Sequence, residues 1–170
     1  MTPRAVKTDA APKAIGPYSQ AILADGWLFC SGQIPLDPAT GNLVGEGDAA
    51  AQAEQVLRNL ASVVKAAGGT MGDAVKVTIF LKDMATFAKV NEVYGRHFPG
   101  DAPPARATVE VARLPKDVLV EMDLTARIGD SAPARGVGRE VAEGEPRPTG
   151  PQAGRPGGPS GYTEGFGFRK

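Results

Sequence analysis

Apolar residues in the first half of the chain follow two different periods, which separate a pair of strands from a long helix. Residues 22–32 (ILADGWLFCSG) place Asp25-Gly26 between two apolar runs, a strong signal for a β-hairpin. Residues 48–69 instead predict a helix with Asp48 as its N-cap and Gly68-Gly69 as its stop. Its inward stripe, at helical spacing, is predicted to be Ala53, Val56, Leu57, Leu60, Val64 and Ala67.

A further strand and a second helix are predicted next. Residues 75–81 (VKVTIFL) alternate between apolar and polar side chains, as a half-buried strand does. The inward side chains of this strand are predicted to be Val75, Val77, Ile79 and Leu81. A helix is predicted after Asp83, with inward side chains at Phe87, Val90, Tyr94 and Phe98.

Residues 103–124 (PPARATVEVARLPKDVLVEMDL) predict a closing hairpin whose loop is 114–117. In this register Glu110 faces Glu121, which is unfavourable for two like charges unless the acids splay apart in water or serve a function. The apolar side chains must then lie on the helices. The side chains predicted to project from the other face are Arg106, Thr108, Glu110, Glu121, Asp123 and Thr125. The element order is ββ-α-β-α-ββ, an α+β fold.

The chain changes character near residue 130. Residues 131–170 contain ten glycines and six prolines in forty positions, and they lack leucine and isoleucine. Such a composition cannot bury enough apolar surface to offset the entropy of ordering. The sequence therefore predicts one folded domain over residues 1–130 and a disordered tail over 131–170.

Composition excludes several classes of function. The formal net charge is zero, and residues 1–130 hold thirteen basic and fifteen acidic side chains, so neither nucleic acid nor an anionic membrane is a favoured partner. One cysteine and one histidine cannot form a cysteine or histidine cage for a metal. No apolar run approaches a membrane span, and the first residues lack a secretion signal, so we expect a cytoplasmic protein.

Three segments resemble the Rid (YjgF) family of reactive-intermediate deaminases. They are IGPYSQA (15–21), SGQIPLDPATG (31–41) and PARATVEVARLPKDVLVEM (104–122), in the order in which the family carries them. The resemblance covers almost all of residues 5–128 and does not include the tail. It implies a chorismate-mutase-like fold, with a mixed sheet backed by two helices. It also implies a homotrimer with a central barrel and ligand sites between subunits.

The family's chemistry assigns roles to particular residues. The resemblance implies hydrolysis of enamines and imines such as 2-iminobutanoate and 2-iminopropanoate to 2-keto acids and ammonia, with no cofactor and no metal. Arg106 would bind the substrate carboxylate with its planar fork, and Glu121 would move the proton of the attacking water. The residues predicted to bind substrate are Tyr18, Ser31, Gly32, Asn91, Arg106 and Thr108. Packing is the competing role for Tyr18, and an exposed helix face for Asn91.

One position departs from the family pattern. Thr108 stands where many members have cysteine. Attack by water needs no thiol, so the deaminase interpretation stands, while Thr108 changes the wall of the pocket that the substrate meets. Cys30 is expected to be a small buried hydrophobe, and His97 a structural or surface residue. The competing functions are a non-catalytic trimer that binds 2-keto acids and an RNA-cleaving or translation-inhibiting protein.

Overall fold

The computed structural model describes residues 2–129. The predicted boundary at residue 130 and the predicted disordered tail lie outside these residues. Within them, no helix is long and apolar enough to cross a membrane.

The described residues form an α+β fold, as predicted. Two helices, α1 (Ala49–Ala66) and α2 (Phe87–His97), accompany a mixed sheet of six strands within residues 2–129. Three short 3₁₀ turns connect these elements, at Met71–Asp73, Met84–Thr86 and Pro115–Asp117. The strands are β1 (Arg4–Val6), β2 (Ala21–Ala24), β3 (Trp27–Gln33), β4 (Ala74–Leu81), β5 (Ala105–Glu110) and β6 (Val120–Arg127). The predicted order lacked only β1, which is too short to show an alternating pattern.

The first hairpin is confirmed. Strands β2 and β3 pair antiparallel, with Ala24 opposite Trp27, so Asp25 and Gly26 form a two-residue turn. Both turn residues have positive φ, 48° and 76°. This is the backbone geometry that matches the twist of a tight hairpin, and it explains the Asp-Gly pair.

The second predicted hairpin is wrong. The strand order is β1-β2-β3-β6-β4-β5, so β4 lies between the two strands that were expected to pair. Strand β5 runs parallel to β4 after the crossover through α2, and β6 runs antiparallel to β4 on its other side. The segment between β5 and β6 therefore crosses β4 instead of turning back, although its Leu-Pro-Lys-Asp sequence is typical of a turn.

This topology reverses the predicted faces of β5. Paired residues of neighbouring strands project from the same face of a sheet, and Arg106, Thr108 and Glu110 pair with the buried Val77, Ile79 and Leu81. They therefore lie on the helix side of the sheet. Glu110 does not face Glu121; its carboxylate accepts a hydrogen bond of 2.7 Å from the Met84 backbone N–H. The expected cost of two opposed acids does not arise.

The faces of β6 and the inward faces of both helices are as predicted. Val120, Met122 and Leu124 are buried between the sheet and the helices. Asp48 caps α1 by accepting hydrogen bonds from the backbone N–H groups of Ala50 and Ala51. The predicted stripe of α1 is buried, and so are Val90, Tyr94 and Phe98 near α2. Val75 alone departs from its strand's alternation, because a bulge in the β4–β6 pairing leaves it exposed.

Candidate functional site

A cleft of about 410 Å³ opens where the N-terminal loop meets the ends of β3 and β6. It brings together four of the predicted site residues, Tyr18, Ser31, Gly32 and Glu121. Most of its other walls are apolar: Pro12, Ile15, Ile34, Leu36 and Pro115. We call this site the Glu121 cleft. An apolar pocket around one carboxyl group is the kind of environment in which a proton-transferring acid is found.

Gly32 makes room for the carboxyl group of Glu121. A Cβ atom at position 32 would lie 2.1 Å from Glu121 Oε1, closer than any real contact. A bulge in the β3–β6 pairing makes this approach possible, because Ser31 and Gly32 together stand opposite the single residue Asp123. The close approach of Glu121 therefore explains why a glycine stands at position 32.

The surroundings of Glu121 favour its neutral form. Burial raises the pKa of its carboxyl group above the usual value of 4.5, and the negative charge of Asp123 raises it further. Asp123 lies two residues along β6 on the same face of the sheet, and its Oδ1 accepts a hydrogen bond from the Thr78 backbone N–H. Glu121 therefore holds a proton more tightly than a carboxyl group in water does.

Ser31 and Tyr18 shape the wall opposite Glu121. The Ser31 hydroxyl donates to the Ser19 carbonyl oxygen at 2.6 Å, and the Ser31 backbone N–H donates to the Gln20 carbonyl oxygen at 3.0 Å. These two bonds hold the N-terminal loop against β3. The Tyr18 hydroxyl accepts a hydrogen bond from the Ile15 backbone N–H, and its ring is about half exposed.

Helix α1 holds the Ile34–Leu36 wall of the cleft, and the residue before β6, through buried amides. The Asn59 side-chain amide donates to the carbonyl oxygens of Ile34 and Leu36 at 3.2 and 3.0 Å. Gln52 accepts from the Leu119 backbone N–H at 2.7 Å, immediately before β6 begins. These side chains were not among the predicted site residues. The signal that could have found them is an amide on a helical stripe that is otherwise apolar.

The remaining predicted residues form a second group beside α2. The Arg106 guanidinium donates from Nη1 to Asn91 Oδ1 at 2.8 Å. It also lies over the rings of Tyr94 and Phe87, with 4.6 and 5.6 Å from its central carbon to the ring centroids. We call Arg106, Asn91, Phe87 and Tyr94 the Arg106 cluster. Asn91 contacts Arg106, so its amide oxygen positions the guanidinium instead of standing free for a ligand.

Thr108 belongs to the same side of the sheet. Its hydroxyl oxygen is buried and has no hydrogen-bond partner among residues 2–129. Two residues before it along β5, the Arg106 side chain is exposed. The surface beside Arg106 therefore carries a buried hydroxyl group at position 108.

The prediction that Arg106 and Glu121 share one face of a hairpin is wrong. Arg106 lies on the helix side of the edge strand β5, whereas Glu121 lies on the opposite face of the sheet, with β4 between the two strands. The cause is the parallel crossover. It places β4 between β5 and β6, and it exchanges the two faces of β5 relative to the predicted hairpin. Within one chain the predicted residues therefore form two separate groups.

Cys30 and His97, whose side chains could in principle react, have structural surroundings. Cys30 is buried, and burial with the nearby Asp123 raises the pKa of its thiol to about 12, so it is not a thiolate at neutral pH. His97 Nε2 lies 3.0 Å from Glu54 Oε2 and links the two helices. In the described part of the chain, no group of three or more acidic, histidine or cysteine side chains is placed to hold a metal ion.

Comparison with known proteins gives a consistent result. The family model described as Endoribonuclease L-PSP matches residues 8–128. A RutC family protein of Synechocystis is 54% identical over 126 residues, which cover 74% of this chain and 97% of that protein. The human protein named 2-iminobutanoate/2-iminopropanoate deaminase is 45% identical over 123 residues, covering 72% and 88%. A crystal structure of a Yersinia pestis protein of the conserved Rid family superimposes with a TM-score of 0.73 at 46% identity, covering 75% and 100%.

Proposed function

The chain belongs to the Rid (YjgF) family, and on that premise we propose that it is a deaminase of reactive enamines and imines. Its substrates would be small 2-imino acids such as 2-iminobutanoate and 2-iminopropanoate, and its products 2-keto acids and ammonia. The deaminase names of the human and mouse relatives, each 45% identical, support this activity. We place the reaction in the cytoplasm and assign it no cofactor.

The observation that carries the proposal is the carboxyl group of Glu121, packed against Gly32 in an apolar cleft. Burial raises the pKa of this carboxyl group, so its carboxylate is a stronger base toward water than a solvent-exposed one and can return the proton later in the reaction. In the proposed reaction Glu121 accepts a proton from water as the water oxygen bonds to C2 of the imine. The proton passes to the nitrogen and gives a carbinolamine. Glu121 then takes the hydroxyl proton and passes it to the nitrogen, and cleavage of the C–N bond releases ammonia and forms the carbonyl group of the 2-keto acid.

Arg106 supplies the second requirement, a binding group for the substrate carboxylate. A guanidinium has five N–H donors in a planar fork that matches a carboxylate. One of these donors is taken by Asn91, and the side chain is exposed, so an edge of the fork remains for a ligand. We propose that the substrate carboxylate binds there, with Thr108 forming part of the adjacent wall.

The two groups can serve one reaction if they come from two copies of the chain. We propose a homotrimer in which the Arg106 cluster of one subunit lies against the Glu121 cleft of its neighbour. Support comes from the sheet face away from the helices, where the large apolar side chains of Trp27, Phe29 and Val109 are exposed. Each of these side chains is already about half buried, so burying the rest between subunits is favourable by about 1 kcal/mol each.

The test is ammonia release from 2-iminobutanoate that a pyridoxal-phosphate threonine dehydratase generates in the same cuvette. The expected result is 2-keto acid formation that is faster than spontaneous hydrolysis and proportional to the added protein, with a trimeric mass in solution. Catalysis at the spontaneous rate, together with retained binding of 2-ketobutyrate, would support the non-catalytic binding protein instead. A parallel incubation with single-stranded RNA tests the RNA-cleaving alternative.

A further inference from the structure

One face of helix α2 is fitted to the guanidinium of Arg106. Phe87, Asn91 and Tyr94 are spaced i, i+4 and i+7, which brings all three to one side of the helix. The amide of Asn91 accepts a hydrogen bond from the guanidinium, and the two rings contact its planar group. A flexible arginine on an edge strand is thereby held in one orientation.

Tyr94 has two features that a simple core tyrosine lacks. Its side chain is only 5% exposed, yet its hydroxyl oxygen is buried without a hydrogen-bond partner among residues 2–129. A buried tyrosine hydroxyl usually makes a hydrogen bond. The Tyr94 hydroxyl makes none to the described residues, so a hydrogen bond within the chain does not explain the tyrosine at this position. Its ring lies close to the Arg106 guanidinium carbon, at 4.6 Å, and also packs against Phe98, with centroids 4.6 Å apart.

We propose that Tyr94 is a positioning residue that acts through Arg106. Its ring packs against the guanidinium plane, and Asn91 fixes the rotation of that plane by accepting a hydrogen bond from one of its N–H groups. The free edge of the fork is thereby held in the orientation that a carboxylate must meet. This inference rests on the proposed function, because it assigns Tyr94 to carboxylate binding, but the geometry of Arg106 can be measured separately.

The experiment compares Tyr94→Leu with Tyr94→Phe. Loss of the ring is expected to raise KM for 2-iminobutanoate about three- to tenfold, which is the range for a cation–π contact. The value of kcat should change much less, because the ring touches neither the reacting carbon nor Glu121. Tyr94→Phe keeps the ring and is expected to restore KM to within about twofold of the wild type, since such a contact is made by either ring.

A matched control separates positioning from packing. Phe98→Leu removes a buried ring that contacts Tyr94 but is not among the rings that the guanidinium contacts in the described part of the chain. Thermal melting should show that both leucine variants fold and lose stability to a similar extent. KM should rise only for Tyr94→Leu, and an equal rise for Phe98→Leu would overturn the proposal.

A spectroscopic measurement keeps the inference independent of turnover. In the free protein, the NMR signal of the Arg106 Nε–H should be shifted by the ring of Tyr94. It should move toward the position of solvent-exposed arginines in Tyr94→Leu and stay in place in Tyr94→Phe. An unchanged signal in Tyr94→Leu sinks the positioning role, even if the enzyme is active. If the wild type had no deaminase activity but the Arg106 signal still moved in Tyr94→Leu, the proposed function would be refuted and the ring contact would remain supported.

Discussion

The Glu121 cleft is built from backbone, whereas the Arg106 cluster is built from side chains. At Glu121, the missing side chain of Gly32 and the bulge in β3 leave room for the carboxyl group, which lies against the main chain. At Arg106 three side chains of α2 surround an exposed guanidinium on the edge strand. The first should be sensitive to added volume and to pH. The second should be sensitive to the shape of the cation.

Glu121→Gln gives the most severe test of the cleft. A positioned acid or base typically contributes about 10²–10⁴-fold to a rate, so kcat should fall by that factor. Binding of 2-ketobutyrate should be retained, because the carboxylate of this ligand is assigned to Arg106. Steady-state kinetics and calorimetric titration measure the two effects. A kcat close to that of the wild type would remove Glu121 from the mechanism.

Gly32→Ala tests whether the space beside Glu121 matters. The added methyl carbon would lie 2.1 Å from Oε1, so the carboxyl group must move. A displacement of about 1 Å can cost about a hundredfold in rate, and we expect a loss of that order in kcat/KM. In a Glu121→Gln background the same change should cost nothing further.

Gly95→Ala is the matched control for that change. Among residues 2–129, no atom outside its own helix lies within 4 Å of the Cβ that Gly95 would gain. Alanine in the middle of a helix should stabilise the protein by about 0.5–1 kcal/mol and leave turnover intact. Equal losses of activity in Gly95→Ala and Gly32→Ala would contradict the spatial explanation.

Arg106→Lys tests the other region by keeping the charge and removing the fork. One charge-assisted hydrogen bond is worth roughly 1.5–3 kcal/mol, so kcat/KM should fall at least about tenfold. The oligomeric mass should not change, and 2-ketobutyrate should bind weakly. Near-normal turnover would sink the carboxylate assignment. Dissociation into monomers would instead indicate that Arg106 links subunits.

A pH series of melting temperatures sharpens the contrast. The pKa of Glu121 is raised in the folded state, so the native protein binds this proton more tightly than the unfolded chain does. Glu121 therefore lowers stability most above its raised pKa, and this cost disappears as the pH falls below 4.5, the usual value. We expect Glu121→Gln to raise Tm at neutral pH and to leave Tm unchanged at pH values well below the usual pKa. A uniform shift at all pH values would count against the raised pKa.

Alkylation should have the smallest effect. The Cys30 thiol is buried and its pKa is raised to about 12, so iodoacetamide should leave turnover intact under native conditions. The measurement is residual activity over time beside the mass of the protein. Rapid inactivation that substrate prevents would place Cys30 in the site.

Local patterns were sufficient for most elements of the fold. The Asp25-Gly26 turn, the cap at Asp48 and the helical stripes each depend on neighbours within a few residues, and the structure has them as predicted. The pairing of β5 could not be obtained in this way. An alternating strand has the same sequence pattern whether it turns back on the next strand or crosses over to pair in parallel with an earlier one.

The candidate site shows the same limit. The motifs identified the side chains, but the faces on which they lie depend on the topology. Arg106, Thr108 and Glu110 seemed to point away from the helices because they alternate with Ala107 and Val109. At an edge strand covered by α2, charged side chains can lie on the helix side, because Asn91 gives Arg106 a partner and the Met84 backbone N–H gives Glu110 one.

Helix α1 has a further consequence for the Glu121 cleft. Asn59 holds the segment from Ile34 to Leu36, and Gln52 holds Leu119 two residues before Glu121, so one wall of the cleft and the approach to its carboxyl group are attached to the same helix. An arriving ligand does not have to gather these parts, and it loses little of its binding free energy to ordering them. Binding of 2-ketobutyrate should accordingly show only a small entropy cost and a small change in heat capacity from ordering of the protein. Loss of the Asn59 amide should appear first as an unfavourable entropy of binding.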